Sequence, residues 1–281
     1  MVRFIGFLVG LLFVFVLLVG ALMPREAVVP DPLDKIHLAP QKVHWPQDDL
    51  FGIGVFGTFD RAQLQRGFQV YKEVCAACHS LDLIHFRNLE DIGFSEAEVK
   101  ALAKAAEVSD IDPRTGEPDS RPGLPSDAMP GPYANDVAAA AANNNAIPPD
   151  LSLIIKARDN GQRYVYSLLT GYDHRIPMGH EIPEGLHFNP YFPSVNIAMA
   201  KPLSDDQVEY ADGTEASVEQ MAKDVTAFLH WAAEPELETR RQMGLGVIIF
   251  LSILAVLAFL SYRKVWAQVK LHPEDVGSKI H

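Results

Sequence analysis

Cys75-Ala76-Ala77-Cys78-His79 sets two thiols three positions apart, with an imidazole directly after them. Over one helical turn this spacing puts both sulfurs along one edge of a flat ligand and carries the histidine beneath its centre. That is the attachment pattern of c-type haem: two thiols bonded to the porphyrin vinyl groups, and the histidine as proximal iron ligand. The chain has 2 cysteines and both lie in the motif, so the expectation is a single, covalently attached haem c. A structural zinc site would need four ligands, usually with a second Cys or His pair at short spacing, and His85 alone does not complete one. A dithiol redox motif would open a helix after a strand. Here Gln63 to Tyr71 reads as a helix running into the motif.

An iron with one histidine is either open, for gas or peroxide chemistry, or closed by a second ligand for electron transfer. Methionine raises the potential and suits an electron carrier. Of the 7 methionines, Met1, Met23 and Met243 belong to the chain ends and Met221 to an apolar stripe. Met129, in a Pro- and Gly-rich loop, is a weak candidate. Met178 and Met199 remain, and spacing does not separate them. In an open-site haem enzyme or sensor, His85 or His180 would stand on the distal side.

These residues must be positioned by a chain of 281 residues with net charge −12. The apolar residues gather at the ends. Phe4–Met23 and Met243–Tyr262 are each 20 residues without a charge, long enough to span hydrocarbon. The first follows Arg3 and reads as a signal peptide or an N-terminal signal anchor, since Val19-Gly20-Ala21 also offers the small residues a signal peptidase accepts. The second is followed by Arg263, Lys264 and Lys270 and reads as a C-terminal transmembrane anchor with a cytoplasmic tail. Three parts follow: 1–23 signal or anchor, 24–239 haem domain outside the cytoplasm, 240–281 anchor and tail. From Pro24 to Thr239, 34 Asp/Glu stand against 17 Lys/Arg. Such a domain repels nucleic acid and attracts a basic partner.

Within that domain Pro30, Pro32, Pro40 and Pro46 mark an extended entry, and Asp60 is placed to cap the helix that ends at the motif. Ser80–Leu89 reads as a turn beside the haem. Ser95 and Glu98 form a capping-box pattern for a helix to about Glu107. Ser109–Gly131 reads as a long loop, and Asn135–Asn143 as an alanine-rich helix. A helix capped by Asp150 or Ser152 is expected to run to Arg158, and another spans Gln162–Thr170. Gly171–Pro202 reads as irregular. Ala216–Ala232 carries Val218, Met221, Val225, Phe228 and Leu229 at helical spacing, which is a packing stripe. The fold class is mainly α: a cytochrome-c-like haem domain with long irregular loops and one or two membrane helices.

Several stretches of the chain resemble the cytochrome c1 family, the haem subunit of ubiquinol–cytochrome c reductase, in its alphaproteobacterial type. They are Arg66-Gly67-Phe68-Gln69-Val70-Tyr71, Cys75–Ser80, Asn143–Ser152 with its Pro148-Pro149-Asp150-Leu151-Ser152, Tyr164–Tyr172, and Asn189-Pro190-Tyr191-Phe192-Pro193. The resemblance implies that the axial methionine is Met199, and that Arg158 reaches a haem propionate while Pro148, Pro149 and Tyr164 line the haem. It also implies no catalysis by this chain alone. An electron would come from the Rieske iron–sulfur protein and pass to a c-type cytochrome, within a dimeric complex containing cytochrome b. The setting would be the lipid of a bacterial cytoplasmic membrane, with the haem domain in the periplasm. The haem subunit of another membrane oxidase or dehydrogenase would share the haem motif and an anchor, but not the Asn-Pro-Tyr-Phe-Pro and Pro-Pro-Asp-Leu-Ser stretches. Bacterial members that carry an extra disulfide near the haem differ here, because this chain has no spare cysteine.

Overall fold

The computed structural model describes residues 2–23, 32–48 and 57–267. It divides into a unit over residues 1–36 and a larger one over 37–281. The first holds α1 (Val2–Leu22), apolar on every side.

In the larger unit two helices form the centre. α2 (Arg61–Glu73) starts at Asp60, whose carboxylate accepts from the amides of Ala62 (3.0 Å) and Gln63 (3.3 Å). Leu64, Phe68 and Tyr71 fall on one face and are buried. They meet α6 (Val218–Ala233), which buries Met221, Val225, Phe228 and Trp231. Gly67 lets the helices approach: a Cβ there would stand 2.1 Å from the Asp224 carbonyl oxygen. In the same contact the fully buried Asp224 carboxylate accepts from Arg66 Nε and Gln63 Nε2, both at 2.9 Å, and from Gln220 Nε2 at 2.8 Å. A buried charge is tolerated only when paired and hydrogen-bonded in this way.

After the haem motif the structure differs from the sequence reading. Ser80–Leu89 is not a simple turn: β1 (Leu81–His85) leads into a 3₁₀ turn, Phe86–Ile92. α3 (Glu96–Lys104) carries the expected Ser95–Glu98 capping box. Residues 109–131 are not a structureless loop either. β2 (Glu107–Ile111) and β3 (Pro118–Pro122) make an antiparallel hairpin, and β4 (Ala128–Met129) pairs with β1, Met129 opposite Leu81. Arg121 latches the hairpin to Asp127 (2.6 Å) and Asp110 (2.8 Å). Met129 is 5% exposed in the core.

α4 (Asp136–Ala142) is capped by Asn135 and stops at Asn143, with Asn144 and Asn145 left-handed. The expected helix from Asp150 to Arg158 is instead a run of turns. Its carboxylate is used across the chain rather than along a helix. α5 (Gly161–Thr170) packs on α6. Residues 37–48 lie across the pair as a strap: Gln41 donates to Ser167 Oγ (2.8 Å) and Thr170 Oγ1 (3.0 Å), and Trp45 Nε1 to the Lys223 carbonyl (3.0 Å). Gly171–Pro202 is largely irregular as expected, apart from the short pair β5 (His187–Phe188) and β6 (Asn196–Ile197).

α7 (Leu237–Ala267) is one helix of 31 residues, about 46 Å at 1.5 Å per residue. It starts before the apolar run, so its first turn belongs to the folded domain. Leu237 is 3% exposed, Glu238 accepts from both guanidinium nitrogens of Arg61 (3.2 and 2.9 Å), and Arg241 donates to the Gln47 and Gly57 carbonyls (2.8 and 3.0 Å). Among the described residues two helices, α1 and α7, are long and apolar enough to cross a membrane.

Candidate haem site

α2 ends at Val74, and a 3₁₀ turn over Cys75–Ala77 follows. The Cys75 carbonyl accepts from the amides of Cys78 (3.1 Å) and His79 (2.9 Å), which folds the five residues into one compact turn. Both thiols are free. Burial and the neighbouring Cys78 push the Cys75 thiol up to about 12. A redox dithiol needs the opposite, a thiolate stabilised at neutral pH. Among the described residues no group of three or more His, Cys, Asp and Glu could hold a metal ion, so a zinc site gains no support.

His79 is fixed by its Nδ1, 2.8 Å from the Pro149 carbonyl oxygen. A carbonyl only accepts, so Nδ1 carries the proton and Nε2 keeps the lone pair. Burial lowers the pKa of His79, which keeps the ring neutral. A neutral imidazole oriented by a carbonyl is what an iron ligand requires. The residues present therefore fit a c-type haem: two free thiols on one turn, then a ring with its coordinating nitrogen unengaged.

Pro149 thus enters through its carbonyl. Its segment is sewn to β1 by several bonds: Leu151 N to the Ser80 carbonyl (3.0 Å), Leu83 N to Ser152 Oγ (3.1 Å), and the Asp150 carboxylate to Ser80 and Asp82. Pro148 is half-buried beside it. Arg158 and Tyr164 line one cavity of about 410 Å³ together with His37, Asn160 and Tyr191. Burial raises the Tyr164 pKa, and the hydrogen bond from Arg158 acts against that rise. Two cationic or donor side chains around a phenol suit a carboxylate such as a haem propionate.

Met178 is fully exposed at 103%. Met199 is half-buried, two residues after β6, in a segment held from several sides. Its carbonyl accepts from Tyr172 Oη (2.9 Å), and Lys201 pairs with Asp173 (2.6 Å). Asn189, wholly buried, donates to the Leu168 carbonyl (2.8 Å) and accepts from Tyr191 N (3.1 Å). Gly171 leaves room for this contact, since a Cβ would stand 2.7 Å from Asn189 Oδ1. His180 donates Nε2–H to Asn196 Oδ1 (3.0 Å), and the backbone amide of His85 donates to Asn88 Oδ1 (2.9 Å).

Sequence reasoning singled out Cys75, Cys78, His79, Met199, Pro148, Pro149, Arg158 and Tyr164. The structure ties His79 to Pro149, and places Arg158 with Tyr164. The sequence reading missed Tyr172, Asn189, His37 and the cross-chain use of Asp150. Of these, Tyr172, Asn189 and Asp150 sat in stretches already noticed, and His37 did not.

Residues 52–269 match the model of the Cytochrome C1 family. The chain is 50% identical over 233 residues to the "cytochrome b-c1 complex catalytic subunit, mitochondrial" of Candida albicans, covering 83% of this chain and 79% of that protein. It is 52% identical over 217 residues to the "cytochrome c1, heme protein, mitochondrial" of Saccharomyces cerevisiae, covering 77% and 70%. Against the protein of the same description from Kluyveromyces lactis it is 47% identical over 237 residues, covering 84% and 81%.

Proposed function

The chain belongs to the cytochrome c1 family, and from that premise we propose that it is the haem-bearing electron-transfer subunit of a ubiquinol–cytochrome c reductase. The observation that carries this reading is the fixed imidazole of His79, with Nδ1 bonded to the Pro149 carbonyl and Nε2 left for iron, directly after the two thiols. One haem c is held by thioether bonds to Cys75 and Cys78, with His79 and Met199 as axial ligands. When bound, the haem supplies a one-electron couple. The chain's own residues orient the imidazole, hold the methionine segment through Tyr172 and Asn189, and receive a propionate at Arg158 and Tyr164 in the cavity. No substrate bond is made or broken by this chain alone.

The electron is received from the Rieske iron–sulfur protein and handed to a c-type cytochrome, with cytochrome b as a further subunit of a dimeric complex. Two of these relatives are named for a haem and one for the cytochrome b-c1 complex. They are mitochondrial proteins. We assign this chain to a bacterial cytoplasmic membrane and to the alphaproteobacterial type, because Arg3 followed by an uncharged run is the pattern of a bacterial export signal. Residues 24–239 then form the periplasmic haem domain, 1–23 the signal or anchor and 240–281 the membrane anchor, whose basic end lies in the cytoplasm. An acidic domain speeds encounter with a basic acceptor and disfavours nucleic acid.

The test is covalent haem. Wild-type chain run on a denaturing gel retains haem staining and one haem of added mass. Cys75→Ala and Cys78→Ala together must lose it, and retention by that double variant would overturn the attachment. Co-purification of the wild type with a multi-span cytochrome b separates this reading from subunits of other oxidases or dehydrogenases.

A further inference from the structure

Asp150 sits where no catalytic or ligand role requires it, yet it is among the most heavily bonded carboxylates of the described residues. Oδ2 accepts from Ser80 Oγ and from the Asp82 amide, both at 2.8 Å, and Oδ1 accepts from the Ser152 amide at 2.9 Å. These donors hold the carboxyl below its usual pKa against the burial that would raise it. The group therefore carries a full negative charge. Its position is defined by its neighbours in sequence: Asp150 follows Pro149, whose carbonyl accepts from His79, and Ser80 follows His79 itself. One carboxylate thus clasps the residue after the imidazole to the residue after its carbonyl partner. Two more bonds, Leu151 N to Ser80 O and Leu83 N to Ser152 Oγ, close the same seam.

We propose that Asp150 is a positioning residue for His79, and that its charge, delivered along the Pro149–His79 hydrogen bond, biases the haem toward its oxidised state. The physical cause is twofold. A carbonyl held firmly on Nδ1–H makes the imidazole a stronger donor. A fixed anion nearby stabilises the more positive form of the iron by Coulomb attraction, poorly screened where the carboxylate is partly buried. This inference rests on the reading that His79 is an iron ligand.

The test compares Asp150→Asn with wild type in the membrane-bound complex by redox titration of the haem, with ferric electron paramagnetic resonance as an independent record of ligation. The amide keeps the shape and removes the charge. The electron affinity is expected to rise about threefold to tenfold, a tenfold change being 59 mV for a one-electron couple, with the ligand signature retained. Asp82→Asn is the control for mere surface charge, because the carboxylate of Asp82 lies farther from the Ser80 hydroxyl, at 3.4 Å; its shift is expected to be smaller. Ser80→Ala keeps the Asp150 charge but loosens the clasp that holds the Pro149 carbonyl on Nδ1–H, so the imidazole donates less and the potential should rise, by less than in Asp150→Asn. That variant decides the matter if Asp150→Asn fails to accumulate with haem. An unchanged potential in Asp150→Asn, an equal shift in Asp82→Asn, or a potential that does not rise in Ser80→Ala would overturn the proposal. A wild-type spectrum without histidine ligation would overturn the haem reading instead.

Discussion

In the proposed site His79 and Met199 would reach the haem by different means, and the difference sets what single substitutions should do. His79 is placed by the covalent motif and by Pro149. Met199 has no such tether, and its segment depends on hydrogen bonds from Tyr172 and on the buried Asn189. Tyr172→Phe removes one bond worth about 1 kcal/mol. It is therefore expected to leave the haem attached but to raise carbon monoxide binding by the reduced protein, measured in the optical spectrum. Asn189→Ala leaves the Tyr191 amide without its partner, at about 1–3 kcal/mol, and the Leu168 carbonyl with only its bond from the Gly171 amide. Thermal unfolding should fall by several degrees, with the methionine ligand lost at lower temperature than the haem domain unfolds. The motif residues were legible in the sequence because their chemistry is local. Met199 was preferred to Met178 only through a resemblance, because the contacts that hold the Met199 segment join residues distant in the sequence.

Helices whose signals are short-range were read well. Asp60 caps α2, Ser95 and Glu98 box α3, and the stripe on α6 is buried as its spacing requires. The misreadings share one cause. β1 and β4 are separated by more than forty residues, and a turn-like composition hid a strand whose partner lies far along the chain. Asp150 makes a cap-like bond to the Ser152 amide through Oδ1 while Oδ2 is taken by Ser80 and Asp82, and the segment continues as turns in place of the expected helix. At this scale Gly67→Ala tests how closely α2 must lie on α6. With backbone 2.1 Å from the new Cβ, the helices must part, a cost of about 1–3 kcal/mol or more. Lower haem incorporation and a reduced melting temperature are expected; a wild-type melt would contradict the packing. The β2–β3 hairpin offers a pH test. The Arg121 guanidinium holds the Asp127 carboxyl down to about 2. A depressed carboxyl stabilises the fold above its unfolded pKa, near 4, and loses that contribution as pH falls through about 2. Amide exchange at Leu124 and nearby positions should stay slow from neutral pH to about 4, then quicken at lower pH; Arg121→Ala should remove that step.

For the whole molecule, the important junction lies between domain and anchor. α7 begins at Leu237, so the boundary expected at 239 falls inside a helix whose first turn is packed and ion-paired. Glu238 and Arg241 make the anchor continuous with the domain, and Lys156 and Arg240 both pair with Glu234 beside it. A soluble fragment ending at Thr239 loses the Arg241 bonds to the Gln47 and Gly57 carbonyls. It should melt several degrees below a fragment ending at Gln242. The acidic surface is a weaker guide to docking than its charge suggests. Asp205 accepts from the Val218 amide at the start of α6, and Asp212 pairs with Arg66, so part of the negative charge serves the fold. The central claim for the molecule is a haem closed on both sides for electron transfer. It is tested most directly by the optical spectrum of Met199→Leu beside wild type in membranes, oxidised and reduced, with and without carbon monoxide. The account predicts a wild type that ignores carbon monoxide, and a variant that loses the methionine-to-iron band, falls in potential and binds the gas. A variant with the wild-type spectrum would contradict it.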